Sequence, residues 1–303
     1  MENVHVSVAY RTDRGKVREK NEDSFLVTDF ARATHGEHEE AAAGRLRLDV
    51  GPHGALLLVS DGMGGQKAGE VASALVVEVV ARAIEGAPPE APRDEILKGA
   101  VARAHSAVVA AAADSAHRGM GATLTAVWVT GRAAYVAEVG DSRAYLLRAG
   151  RIYQLTKDQN LAQMLVDAGS LEPDEAPDSM MSHVLAQSMG HDVSVQPQLG
   201  KLQLRDRDCL LLCSDGLTQT IREGEIVDIV LGGGPLDHAC DALVSLANQR
   251  GGIDNVTVVL AGVSGDLPPC SVDERLSGSY AVLESFPPGS QTPRTVPARS
   301  IRD

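Results

Sequence analysis

Residues 56–62 read Leu-Leu-Leu-Val-Ser-Asp-Gly, and residues 210–216 read Leu-Leu-Leu-Cys-Ser-Asp-Gly. Each is a short apolar run that stops at the same three residues. Such a run, closed by a turn-forming dipeptide, predicts a strand buried on both faces rather than one with an exposed side. Both strands deliver an aspartate at their ends.

Between these strands the period changes. Ala68 to Glu85 predicts a helix with Val71, Leu75, Val79 and Ala83 on one face, and Glu70, Ser73, Glu78 and Arg82 turned elsewhere. Asp94 to Ala113 predicts a second helix, with Asp94 as its N-cap. Alternating segments follow at Thr123–Thr130, Ala133–Val139 and Arg143–Arg148, punctuated by Gly131, Gly140 and Gly150 in the rhythm of an antiparallel meander. A short helix is expected at Asn160–Gly169, a loop at Pro173–Ser182, and strands at Gln196–Leu204 and Cys209–Cys213. Helices at Glu223–Leu231 and Asp237–Asn248 and a strand at Val256–Val263 complete the pattern. Strands and helices come in runs, which predicts an α+β fold with two helix layers around a largely antiparallel core.

Two stretches stand apart. Ala31 to Arg45, with His35, His38 and a run of glutamates, reads as a surface insertion. Residues 265–303 are rich in Pro, Ser, Thr and Arg and read as a disordered C-terminal tail, leaving 1–264 as the folded domain.

The composition excludes several classes. The chain has 303 residues, is 44% hydrophobic but only 3% aromatic, and so needs an aliphatic core. A net charge of -13 argues against a nucleic-acid or anionic-membrane partner, because phosphate backbones reward clustered Lys and Arg. No apolar run nears the ~20 residues of a membrane span, and the N-terminus lacks the pattern of a signal peptide. Cys209, Cys213, Cys240 and Cys270 form no CxxC pair, which points to a reduced, cytoplasmic chain. The nine histidines show no metal-ligand spacing and read as incidental.

The aspartates carry the chemistry. Asn21-Glu22-Asp23, Asp61-Gly62, Asp141-Ser142-Arg143, Asp215-Gly216 and Asp254-Asn255 each sit at the end of an apolar or alternating segment. One Asp-Gly is a turn signal, but five strand-end aspartates converge if the strands share one sheet end. Converging carboxylates repel unless cations neutralise them, and hard divalent ions prefer such oxygens. Magnesium or manganese fits; zinc would ask for His or Cys. A pair of ions about 3.5–4 Å apart can activate water and clamp a phosphoryl group.

Six blocks in order resemble the bacterial form of the type 2C, metal-dependent protein phosphatases. They are Arg18-Glu19-Lys20-Asn21-Glu22-Asp23, Asp61-Gly62-Met63-Gly64-Gly65, Gly119-Met120-Gly121-Ala122-Thr123-Leu124, Gly140-Asp141-Ser142-Arg143, Ser214-Asp215-Gly216-Leu217 and Asp254-Asn255-Val256-Thr257. The resemblance implies an α-β-β-α sandwich, two mainly antiparallel sheets flanked by helix pairs. It implies hydrolysis of phosphoserine and phosphothreonine in proteins, opposing a Ser/Thr kinase, with two Mn2+ or Mg2+ ions and a third bound weakly. Asp61 would bridge the main pair, with the Gly62 carbonyl completing one shell, and Asp23 would reach its ion largely through water. Asp215 and Asp254 would hold the other ion, Asp141 would belong to the third site, and Arg18 would bind the substrate phosphate. Met63 stands where eukaryotic relatives carry a histidine proposed as general acid, which leaves the proton donor open. Gln159-Asn160 and Gln187-Ser188-Met189-Gly190 depart from the family at the two ends of its variable flap, residues 158–190. A silent binding module is disfavoured because every implied ligand is present. A structural calcium protein is disfavoured because the aspartates are scattered along the chain.

Overall fold

The computed structural model describes residues 3–31, 33–37, 41–64, 68–114, 117–191, 194–271 and 274–287. In chain order the first elements are β1 (Val4–Asp13), β2 (Ser24–Thr28), β3 (Ala33–Glu37), β4 (Ala41–Asp49), β5 (Ala55–Ser60) and β6 (Gly62–Met63). Helices α1 (Gly69–Glu85) and α2 (Arg93–Ala111) come next, then β7 (Gly121–Ala122), β8 (Leu124–Thr130), β9 (Ala133–Val139), β10 (Arg143–Arg148) and β11 (Arg151–Gln154). The chain continues through α3 (Leu161–Asp167), β12 (Gln198–Gln203), β13 (Cys209–Cys213) and α4 (Asp215–Thr218). It closes with α5 (Glu223–Val230), α6 (Leu236–Gln249), β14 (Val256–Gly265) and β15 (Tyr280–Glu284).

Two sheets dominate, one ordered β11-β10-β13-β14-β1-β4 and the other β15-β12-β9-β8-β5-β2-β3. The alternation of side chains along each strand sorts the core into three layers. Leu57 and Val59 of β5 meet Leu210 and Leu212 of β13 between the sheets. The intervening Leu56 and Leu58 face α1 and α2, alongside Val76, Val80, Leu97 and Val101. On the far side, Leu211 and Cys213 pack under α5 and α6 with Ile226, Leu243 and Val244. This is an α-β-β-α sandwich, and it explains the unbroken apolar runs: central strands are covered on both faces, so no polar alternation is possible. The two Leu-rich copies are interior strands of opposite sheets.

Four expectations need correction. The inward face of α1 is Ala72, Ser73, Val76, Val77, Val80, Ala83 and Ile84, whereas Val71, Leu75 and Val79 are only partly buried. The helix lies between a sheet and α2, is apolar almost all round, and so its period does not single out one face. Asp94 falls within the first turn of α2, where its charge meets the helix dipole, and Pro92 holds the cap position. The segment read as an insertion supplies an edge strand to each sheet, β3 beside β2 and β4 beside β1. Edge strands tolerate polar and charged composition, which hides them from a hydropathy reading.

The fourth correction concerns the tail. Beyond Gly265 the chain returns as β15, paired with β12, and the preceding turn Leu276–Gly278 buries Leu276 against the sheet–sheet core. Tyr280 joins that core and donates its hydroxyl to the Leu155 carbonyl at 2.7 Å. The boundary at 264/265 is therefore too early for residues 276–284; residues 288–303 lie outside the described residues.

Candidate active site

Both sheets end at the same cleft, of about 780 Å³, and five aspartates come to it from their edges. Asp61, Asp141, Asp215 and Asp254 line it directly, with Arg18, Glu22, Gly62 and Met63. Asp23, immediately before β2, is buried behind them and acts electrostatically on Asp61. The sequence-predicted residues are thus gathered in one place, although they span the chain from 18 to 254.

Hydroxyls at the strand ends hold these carboxylates. Ser214 Oγ donates to Asp23 Oδ2 at 2.8 Å, and Thr257 Oγ1 donates to the same oxygen at 2.6 Å. Thr257 in turn lies 2.8 Å from Thr12 Oγ1, which accepts from Asn21 Nδ2 at 2.8 Å. A donor chain Asn21–Thr12–Thr257 therefore ends on Asp23 and steadies its charged form. Asp61 is fixed through its backbone: its amide donates to Thr123 Oγ1 at 2.9 Å, and its carbonyl accepts from the Thr123 amide at 2.8 Å. Asn255 ties the 14–22 loop to the start of β14, donating to the carbonyls of Arg14 and Lys20 and accepting from the Glu22 amide. Sequence reasoning assigned no role to Ser214, Thr257, Thr123 or Asn255, although all four stood inside the recognised blocks.

The glycines after the two aspartates are not hairpin signals. A Cβ on Gly62 would collide with the Gly69 carbonyl, and one on Gly216 with the Asn255 carbonyl. Each lets a neighbouring backbone approach the strand end.

Electrostatics set this cluster apart. Burial, then Asp23, Asp215, Asp254 and Asp141, pushes the Asp61 carboxyl well above its usual range. Asp141 is driven the same way by burial and then by Asp215 and Asp158. Burial raises Asp23 to about 7 against the opposing pull of its two hydroxyl donors, and burial with Asp254 raises Asp215. Nearby cations are already committed. Arg18 donates to Asp254 Oδ2 at 2.7 Å, and Arg143 forks onto Asp158 at 2.8 and 2.6 Å. Asp23 Oδ1 and Asp215 Oδ1 are buried with no hydrogen-bond partner.

Surplus negative charge and two orphaned carboxylate oxygens fit hard divalent cations. Among the described residues no three His, Cys, Asp or Glu side chains close around a single point. The histidine reading changes here: His183 and His191 lie on the cleft wall, and His105 is buried, its Nδ1 accepting from the Gly190 amide at 3.2 Å.

A family model described as protein phosphatase 2C matches residues 35–251. Protein phosphatase PhpP of Streptococcus pneumoniae is 33% identical over 261 residues, 86% of this chain and 98% of that protein. Serine/threonine protein phosphatase PstP of Mycobacterium tuberculosis is 37% identical over 259 residues, 84% of this chain and 44% of that protein. A crystal structure of the PstP catalytic domain in complex with two manganese ions superposes with a TM-score of 0.69 at 36% identity, covering 86% of this chain and 99% of that one. Arg18, Asp23 and Asp254 lie outside the span of the family match, yet the fold brings them to the same cleft.

Proposed function

As a member of the protein phosphatase 2C family this chain is a metal-dependent protein serine/threonine phosphatase, and we propose that its cleft works through Asp23, Asp61, Asp141, Asp215 and Asp254 as cation ligands and Arg18 as phosphate ligand. One observation carries the reading: five carboxylates from the ends of both sheets share one cleft without enough positive charge to balance them. Two Mn2+ or Mg2+ ions bound there supply that charge, withdraw electron density from the phosphoryl oxygens and lower the pKa of water to make a nucleophile. Asp61 and the Gly62 carbonyl, with Asp23 behind them, would hold the pair together with Asp215 and Asp254. Asp141, set apart at the β9–β10 turn, serves a third and weaker site.

The remaining tasks fall to side chains of the cleft. Arg18 has a half-exposed side chain whose Nη2 donates to Asp254, and its planar fork suits phosphate oxygens. The leaving serine or threonine oxygen needs a proton, and the imidazoles of His183 and His191 stand on the wall to give it. His183→Gln should therefore slow a phosphoserine peptide more than p-nitrophenyl phosphate, whose leaving group needs no proton; equal slowing would remove this role. Among the described residues no helix is long and apolar enough to cross a membrane. We place the enzyme in the cytoplasm, acting on phosphoproteins against a Ser/Thr kinase.

Manganese-dependent release of phosphate from a phosphothreonine peptide, abolished by EDTA and restored by manganese, is the expected behaviour. Turnover that survives full chelation would overturn it.

A further inference from the structure

Large apolar side chains that remain exposed are usually scattered singly over a protein surface. Here most of them fall on two segments that border the cleft. Ten such residues occur among those described, and five belong to one segment that runs into the cleft wall: Met164 and Leu165 on α3, Met180 and Met181 on the turn that ends at the cleft-lining His183, and Val184 next to it. Two more, Val17 and Ile253, adjoin the cleft-lining Arg18 and Asp254 on a second rim, where the Val17 amide donates to the Gly252 carbonyl. Of these seven, Val184 and Ile253 line the cleft itself.

The wall that carries the five is fastened at several points. Asn160 caps α3 by accepting from the Gln163 amide at 3.0 Å, and the Leu161 amide donates to the Val184 carbonyl at 2.8 Å. Gln187 Nε2 bridges Gln159 Oε1 and the Gln196 carbonyl, both at 2.7 Å. Arg222 reaches across to Asp178 at 2.6 Å. The segment has its polar groups tied inward while Met180 stays 85% exposed. Burial within the chain does not explain why apolar side chains occupy the outer face.

Resting on the phosphatase reading above, we propose that these two rims form a recognition surface for apolar residues flanking the phosphoserine or phosphothreonine of an extended substrate segment. A phosphoresidue seated in the cleft must carry its neighbours over both rims. In an extended segment, residues two positions either side point the same way as the phosphoresidue, about 7 Å along the chain. On this proposal those positions meet the segment of Met180, Met181 and Val184 in one direction and that of Val17 and Ile253 in the other. Methionine suits the role, since an unbranched thioether adapts to differently shaped apolar partners. The preference is therefore for apolar character, with little discrimination between Leu, Val and Met.

The test compares two phosphothreonine peptides of equal length and charge, one with leucine two positions before and after the phosphoresidue, the other with serine there. With manganese the wild-type enzyme should show kcat/KM roughly 10-fold higher for the leucine peptide. Met180→Ser, and the double change Met180→Ser with Leu165→Ser, should remove most of that preference and leave turnover of the serine peptide and of p-nitrophenyl phosphate unchanged. Equal kcat/KM for the two peptides, or a preference that survives the double change, would overturn the proposal. So would sedimentation showing a wild-type dimer that the double change disperses, since the surface would then serve a second copy. Failure of the wild type to hydrolyse p-nitrophenyl phosphate would sink the phosphatase reading first, before any flank is compared.

Discussion

Strands β10 and β13 each connect two clusters of charged side chains at opposite ends of the sandwich. At one end Asp141 precedes β10 and Asp215 follows β13, beside Asp23, Asp61 and Asp254. At the other, Arg148 ends β10 and Asp208 precedes β13, joined by Arg205 and Glu274. There Arg148 forks onto Asp208 with both contacts at 2.7 Å and donates to Ser279 Oγ at 2.6 Å and the Gln203 carbonyl at 2.9 Å. Arg205 forks onto Glu274 at 3.0 and 2.7 Å. Two guanidinium groups face two carboxylates, and each has several partners. The cleft end has carboxylates in surplus and two oxygens without a partner. Buried charge of the first kind fixes structure; the second kind is incomplete until something positive arrives.

The largest expected effect breaks the balanced cluster. Arg148→Met would leave Asp208 buried without its fork and release Ser279, at a cost of about 3–5 kcal/mol. Deleting residues 271–303 removes Ser279, Glu274 and the β15 pairing together, and should destabilise at least as much. Chemical denaturation of the metal-free proteins measures both. A truncated chain as stable as the whole would mean that β15 is an ornament on the sheet rather than part of it.

Next comes the unbalanced cluster, where the sign of the stability change reverses. Asp61→Asn should lower manganese-dependent turnover on the order of 100-fold or more. The same change removes a carboxylate that its neighbours repel, so the metal-free protein should melt at an unchanged or higher temperature. A variant that loses activity by unfolding would make Asp61 structural, like Asp208, and erase the contrast between the two ends.

A pH series sharpens the same point. Asp23 is raised to about 7 in the fold, against an ordinary carboxylate value near 4 in the unfolded chain. Between those values the folded state binds more protons than the unfolded one, so stability falls as pH rises from about 4 to about 7. Asp61, Asp141 and Asp215 are raised as well and push in the same direction. Metal-free protein should therefore melt several degrees lower at pH 7.5 than at pH 5.5. Manganese should raise the melting temperature more at the higher pH, where it competes with fewer protons. A flat profile without metal would mean the carboxylates are balanced after all.

The two ends also differ in how legible they were. Asp61 and Asp215 announced themselves because a buried strand with apolar side chains on both faces has to stop abruptly at a charge. Ser214, Thr257 and Thr123 gave no signal of their own, since hydroxyl residues are common at strand ends and their work depends on which strand lies alongside. Arg148 stood in the sequence only as the last residue of a predicted strand; its partners sit 55 to 131 residues further along. The part of the tail at residues 276–284 was misread for the same reason. Its Pro/Ser-rich composition is real, but four residues of β15 paired with β12 and one buried tyrosine hold residues 280–284 on the sheet. Local composition reports burial within a segment, and both misreadings concern partners far away in sequence.

The smallest expected effect falls on Arg18, where the cleft borrows the logic of the balanced end. Its guanidinium satisfies Asp254 at 2.7 Å, yet its side chain is 51% exposed, so the pair adds well under about 1 kcal/mol to stability. Asp254 is also a proposed cation ligand, which sets up a competition: a cation reaching Asp254 must draw it from Arg18, and Arg18 is then available for phosphate. Arg18→Ala should give opposite shifts in two constants. The manganese concentration for half-maximal rate should fall modestly, on the order of 2-fold, because the competitor is gone. The KM for a phosphopeptide should rise several-fold, because one charge-assisted contact to phosphate is lost, with kcat less affected. Arg18→Lys should restore the ion pair but not the fork, leaving KM high while the manganese requirement returns to that of the wild type. If Arg18→Ala raised the manganese requirement and left KM alone, Arg18 would be a scaffold for Asp254, and the pair would belong with Arg148 and Asp208 as structure.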